Sequence, residues 1–156
     1  FTNIKNKSDI DKLKKFGKVF RESVKNLNLK NYIVLDPESN KTLAPEDKKF
    51  DYFIFGGILG DYPPKKRTKK ELTKFLPKAE TRNIGKKQMA TDNAVYVVNE
   101  ILKGKNFDKL KFQDKVELKF NEFESVELPF RYILDKNNKP LISKKVIDYL
   151  KKKKGF

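Results

Sequence analysis

The segment FDYFIFGGILGD, Phe50 to Asp61, constrains the fold more than any other part of the chain. Phe50 to Phe55 are aromatic, β-branched and almost uncharged, the pattern of a buried strand. The strand runs into Gly56-Gly57, then Ile58-Leu59, then Gly60-Asp61. Glycines at a strand's carboxyl end let the chain turn sharply and let a ligand approach the main chain. In open α/β sheets, ligands bind at that edge. Asp61, which closes the loop, is placed to meet a polar or cationic substrate. The competing reading is a tight turn whose Ile58-Leu59 pair plugs the core.

The residue types that are missing narrow the chemistry. With 156 residues the chain forms one domain, and it has neither cysteine nor histidine. That excludes disulfides, thiolate nucleophiles, imidazole-based triads and the usual zinc ligands. Carboxylates, Lys, Arg, Tyr, Ser, Thr and backbone groups remain, and they are best served by a cofactor that arrives already activated. The net charge of +16 favours a polyanionic partner such as RNA or the ribosome. A lysine-rich composition is also what genome bias or a hot habitat produces. No apolar run reaches the ~18 residues of a membrane span; no signal peptide is expected, and the expected location is the cytoplasm.

Along the chain, strands alternate with helices. A helix is expected from a Ser8 cap, with apolar residues at Ile10, Leu13, Phe16, Phe20, Val24 and Leu27 and a weak point at Gly17. Strands follow at Tyr32–Leu35, Phe50–Phe55 and Ala79–Ile84, with a short helix over Thr68–Phe75 stopped by Pro77. Met89–Leu102 carries a helical apolar stripe ended by Gly104. Val116, Leu118 and Phe120 alternate as in a half-exposed strand, and Phe130–Leu134 is another. Ser143 caps a last helix before a lysine run, Lys151–Lys154. The order predicts an α/β fold with a mostly parallel sheet flanked by helices.

Three segments share one design, an extended run followed by a Gly- or Pro-containing loop: Phe55–Asp61, Arg82–Met89 and Glu127–Tyr132. In their fuller forms FDYFIFGGILGDYPPKKRT, IGKKQMATDNAV and ELPFRYILDKNNKPLI, with weaker stretches VLDPES and LAPEDKKFDYF, they resemble SPOUT methyltransferases. Within that class they are most similar to the branch of the fungal SPOUT protein arginine methyltransferase and its archaeal relatives. The resemblance runs over about residues 31 to 150. It implies a single domain, residues 1 to 156, whose carboxyl-terminal part is threaded into a trefoil knot, a rare exception to unknotted topology. It also implies that a strand and helix normally precede Phe1.

The same resemblance implies S-adenosylmethionine (SAM) as cofactor, held by Phe55, Gly56, Gly57, Ile58 and Gly60, by Ile84, Gly85, Gln88 and Met89, and by Leu128, Pro129, Phe130 and Arg131. Such loops read an adenine edge with backbone groups while apolar side chains sandwich its ring. No metal is required. Asp61 is the first candidate to orient the nucleophilic nitrogen and take its proton, the alternative being that it caps its own loop. Arg82 and Arg131 are candidates to hold phosphate or the methionine carboxylate, or equally to form structural ion pairs. Lys65, Lys66 and Arg67 are expected to form a substrate-docking face. Asp135 is a weaker acid candidate that belongs with the Asn137-Asn138 turn. The expected target is ribosome-associated, either an arginine of a ribosomal protein or RNA. The alternative is a non-catalytic RNA- or ribosome-binding domain that keeps the pocket. A monomer is expected over the homodimer common among SPOUT enzymes.

Overall fold

A computed structural model describes residues 1–56, 65 and 67–152. Its centre is a parallel sheet of β1 (Tyr32–Leu35), β2 (Tyr52–Phe55) and β3 (Glu80–Arg82), in the order β2-β1-β3. Leu35 stands in register with Phe55 on one side and Arg82 on the other, so all three strands end at one level. β1 is buried on both faces, which explains why it reads as an unbroken apolar run. Its two faces seed two cores. Ile33 and Leu35 pack with Leu43, Val97, Val98, Ile101 and Ile133, and Val34 packs with Val24, Leu72 and Leu76.

Helices cover this sheet as the alternation predicts. α1 (Lys7–Lys14) is capped by the Asn6 side chain, which accepts from the Ser8 amide at 2.8 Å, rather than by Ser8 itself. The single helix expected to run on to Leu27 does not form. Phe16 and Gly17 bond back three residues, to Leu13 and Lys14, and close the helix there. Glycine is costly in a helix, and Phe16 is 72% exposed, so the apolar spacing beyond Leu13 marks no buried stripe. α2 (Arg67–Glu71) is likewise shorter than predicted and tightens into a 3₁₀ turn, Thr73–Phe75. α3 (Thr91–Leu102) buries Val97, Val98 and Ile101 and ends at Gly104, whose φ of +107° is the left-handed stop that glycine permits.

The carboxyl-terminal strands depart from a parallel arrangement. β4 (Phe112–Lys119) and β5 (Ser125–Ile133) form an antiparallel hairpin, a second sheet. Its ladder pairs Asp114 with Arg131 and Val116 with Leu128, so Lys115, at φ +56°, stands across from two residues, Pro129 and Phe130. This is a β-bulge. Pro129 has no N–H to give to a ladder, and a bulge is where a strand tolerates that loss. α4 (Lys144–Lys152) follows Ser143. No described helix is long and apolar enough to cross a membrane.

Candidate functional site

The common carboxyl edge of β1, β2 and β3 releases Asp36, Gly56 and Asn83 side by side. Asp36 is buried, and its carboxylate accepts from the Glu38 amide at 2.9 Å and the Thr73 hydroxyl at 2.6 Å. Asn83 is buried as well. Its amide nitrogen donates to the Ser39 and Lys41 carbonyls at 3.0 and 3.1 Å, while its oxygen accepts from the Gly85 amide at 3.0 Å. Asn83 therefore sets the direction in which the second segment leaves the sheet. Gly85 then adopts φ +94°. A Cβ at that position would lie 3.0 Å from Phe107 Cζ and 3.4 Å from Arg131 Nη1, so both backbone angle and space call for glycine.

The fold joins the second and third segments. The Arg131 amide donates to the Gln88 carbonyl at 2.9 Å, and Met89 and Arg131 make a single parallel backbone pairing. The bulge at Pro129-Phe130 lies immediately before this junction and re-aims the strand there. Phe55 from the first segment and Ile84 and Met89 from the second pack against one core cluster. The described cofactor candidates, Phe55 and Gly56, Ile84, Gly85, Gln88 and Met89, and Leu128 to Arg131, are all half-buried. Half-buried apolar side chains beside backbone groups fit a flat, partly apolar heterocycle such as adenine. Gly57, Ile58, Gly60, Asp61 and Lys66 lie outside the described residues.

The cations are placed unequally. Arg82 is buried, with Nε and Nη2 on Asp47 at 3.0 and 2.9 Å and Nη1 on Glu80 at 2.9 Å, so its guanidinium makes structural ion pairs rather than facing a substrate. Burial opposes its charge, yet Asp47 and Glu80 hold its pKa above the ordinary value. Arg67 pairs with Glu71 at 2.6 Å within α2, and Lys65 is exposed. Arg131 places Nε 2.7 Å from Asp114 Oδ1 and Nη2 3.3 Å from Oδ2, with its guanidinium 5.1 Å from the Phe112 ring. Lys87 reaches Asp114 Oδ2 at 2.6 Å. Arg131 first, then Lys87, lower the Asp114 pKa to about 2. Asp135 accepts from the Asn137 and Lys139 amides at 2.8 and 2.9 Å, as a turn residue does. Among the described residues no group of three or more carboxylates comes together to hold a metal.

Sequence reasoning passed over Asp114, Asn83 and Asn93. Asn93 is 1% exposed, accepts from the Ile133 amide at 3.0 Å and donates to the Leu141 carbonyl at 3.0 Å, clamping α3 to the end of β5, the strand that carries the third segment. Its signal was an Asn four and eight residues before Val97 and Ile101, on the buried side of the helix. Asp114 carried no local signal, because its partners lie 27 and 17 residues away.

The sequence matches the family described as protein arginine N-methyltransferase SFM1-like across residues 1–155. The chain belongs to that family. It is 46% identical over 121 residues to protein arginine N-methyltransferase SFM1 of Saccharomyces cerevisiae. That alignment takes in 76% of this chain but 57% of the yeast protein, so the chain spans little more than half of the curated relative it matches. The crystal structure of the yeast arginine methyltransferase SFM1 complexed with SAM superposes with a TM-score of 0.86 at 38% identity, over 97% of this chain and 75% of that one. The same enzyme complexed with SAH gives 0.85 at 37% identity, over 96% and 78%. At this identity the likeness extends beyond the fold, and the α/β architecture expected from the sequence is borne out.

Proposed function

We propose that this chain is a SAM-dependent methyltransferase that modifies arginine in a ribosome-associated protein. The observation that carries the reading is the joining of the second and third segments at Gln88, Met89 and Arg131. It is supported by family membership and by the likeness to SFM1 complexed with SAM and with SAH. The carboxyl-terminal trefoil knot, a monomeric state and a cytoplasmic location belong to the same reading.

Bound SAM supplies a methyl group on a cationic sulfur that needs no further activation. The residues of this chain have three tasks. The half-buried apolar groups Phe55, Ile84, Met89, Leu128 and Phe130 would shield the bound cofactor from water. The backbone of Gly85 to Met89 would offer hydrogen-bonding groups to the cofactor, with Gly85 letting the chain pass close to Phe107 and Arg131. Asp61 is the proposed catalytic residue. A carboxylate pairs with a guanidinium, aligns one nitrogen for in-line attack and accepts its proton.

The ribosomal target rests on the charge of +16, which draws the protein toward RNA-rich particles. Direct methylation of RNA is the second reading, favoured by the same charge. The test is to incubate the protein with methyl-labelled SAM and separated ribosomal RNA, transfer RNA and ribosomal protein, then hydrolyse the labelled fraction. Label recovered as methylarginine from protein is expected. Label in RNA moves the reading to its alternative. No label in any fraction leaves only a binding domain that keeps the pocket.

A further inference from the structure

Asp114 lies on β4, outside all three cofactor segments, yet it is bonded to two of them. Its Oδ1 accepts from Arg131 Nε at 2.7 Å, and its Oδ2 accepts from Arg131 Nη2 at 3.3 Å and Lys87 Nζ at 2.6 Å. Lys87 precedes Gln88, whose carbonyl receives the Arg131 amide. The carboxylate thus clasps from the side the junction that the backbone makes from within. Gly85 keeps the clasp compact, because any Cβ there would sit 3.4 Å from Arg131 Nη1. Asp114 is itself fixed at the register break, opposite Arg131 and next to Lys115.

We propose that Asp114 is a positioning residue that sets the spacing between the second and third walls of the cofactor site through Lys87 and Arg131. This rests on the proposed SAM site and deepens it. It also reassigns Arg131: the guanidinium holds a loop in place and is not the partner of the cofactor's carboxylate. A forked, charge-assisted contact with a carboxylate is directional as well as strong, so it fixes a loop angle where a lone lysine contact would not. Misplacing a binding wall by about 1 Å is enough to degrade a site.

Two measurements test it on the full chain. The first is hydrogen exchange at the Arg131 amide without cofactor. The second is SAM affinity by calorimetry. Asp114→Asn keeps the side-chain size and is expected to speed Arg131 amide exchange and to weaken SAM binding, each on the order of 10-fold, the scale of one charged hydrogen-bond partner. Lys87→Met, at an exposed position, should weaken binding by a few-fold. The double variant should bind no worse than Asp114→Asn alone, because both changes open the same clasp. Asp114→Glu should recover part of the loss. Unchanged exchange in Asp114→Asn overturns the proposal, as does full additivity in the double variant. Should Asp114→Asn fail to fold, unchanged exchange and affinity in Lys87→Met overturn it. If the unaltered protein binds no SAM, the methyltransferase reading fails, and faster Arg131 exchange in Asp114→Asn still establishes the clasp.

Discussion

Arg82→Met separates a structural role for this arginine from a role in substrate binding. The guanidinium is fixed by Asp47 through Nε and Nη2, by Glu80 through Nη1, and by the Thr81 carbonyl. The side chains of Arg82 and Asp47 are 10% and 7% exposed, that of Glu80 50%. Glu80 returns to water when its partner goes, so its share is small. Asp47 cannot, and among the described residues keeps only the Ala44 amide at 3.0 Å. Removing one partner of a buried pair costs about 3–5 kcal/mol, most of it the stranded charge. For a domain of this size each kcal/mol moves the melting temperature by about 2–4 °C. Thermal unfolding followed by circular dichroism should therefore show a drop of roughly 10 °C. Arg82→Met/Asp47→Leu removes the stranded charge and should recover much of it. Below its melting point the single variant should still bind SAM. A variant that melts at the parent temperature but loses methyl transfer would refute this reasoning and return Arg82 to the substrate.

Three further outcomes follow from the same geometry. Gly85→Ala puts a Cβ on a residue at φ +94° and 3.0 Å from the Phe107 ring; denaturant titration should show a loss of about 1–2 kcal/mol, and calorimetry a weaker SAM interaction. Asn93→Ala leaves the Ile133 amide and Leu141 carbonyl without their partner, and urea midpoints should report about 2–3 kcal/mol of destabilisation. Asp114 has a folded pKa of about 2 against an ordinary 3.8, so its contribution is complete above about pH 4 and is lost as pH falls toward 2. Its side chain is 38% exposed, so solvent screening leaves about 1 kcal/mol, seen as a stability gap between the parent and Asp114→Asn that narrows from pH 5 to pH 2.5.

Features written into contiguous residues were legible. The YIVL and YFIF strands, the stripe of α3 and its stop at Gly104 are local patterns that tertiary packing left intact. The second and third segments were legible because a glycine and a proline sit where the backbone needs them, at Gly85 and in the Pro129 bulge. Pairing direction was not. The alternation of Val116, Leu118 and Phe120 announces a strand, but the turn that makes it a hairpin, Asn121 to Glu124, contains neither Gly nor Pro. The first helix was overread because Phe16 and Phe20 keep helical spacing while staying exposed at 72% and 37%. Side-chain networks were the least legible. Asp47 with Arg82, and Asp114 with Arg131 and Lys87, are long-range pairs that exist only once the sheets are assembled. The opening loop's Asp61 and glycines beyond Gly56 remain a reading of the sequence and its family.

The most direct measurement is titration calorimetry of the folded, full-length protein with SAM. The joined second and third segments, read as two walls of a SAM site, predict micromolar binding, about −7 to −8 kcal/mol, together with a rise in melting temperature. No heat and no melting shift at millimolar SAM would contradict the assignment of these segments as a cofactor site.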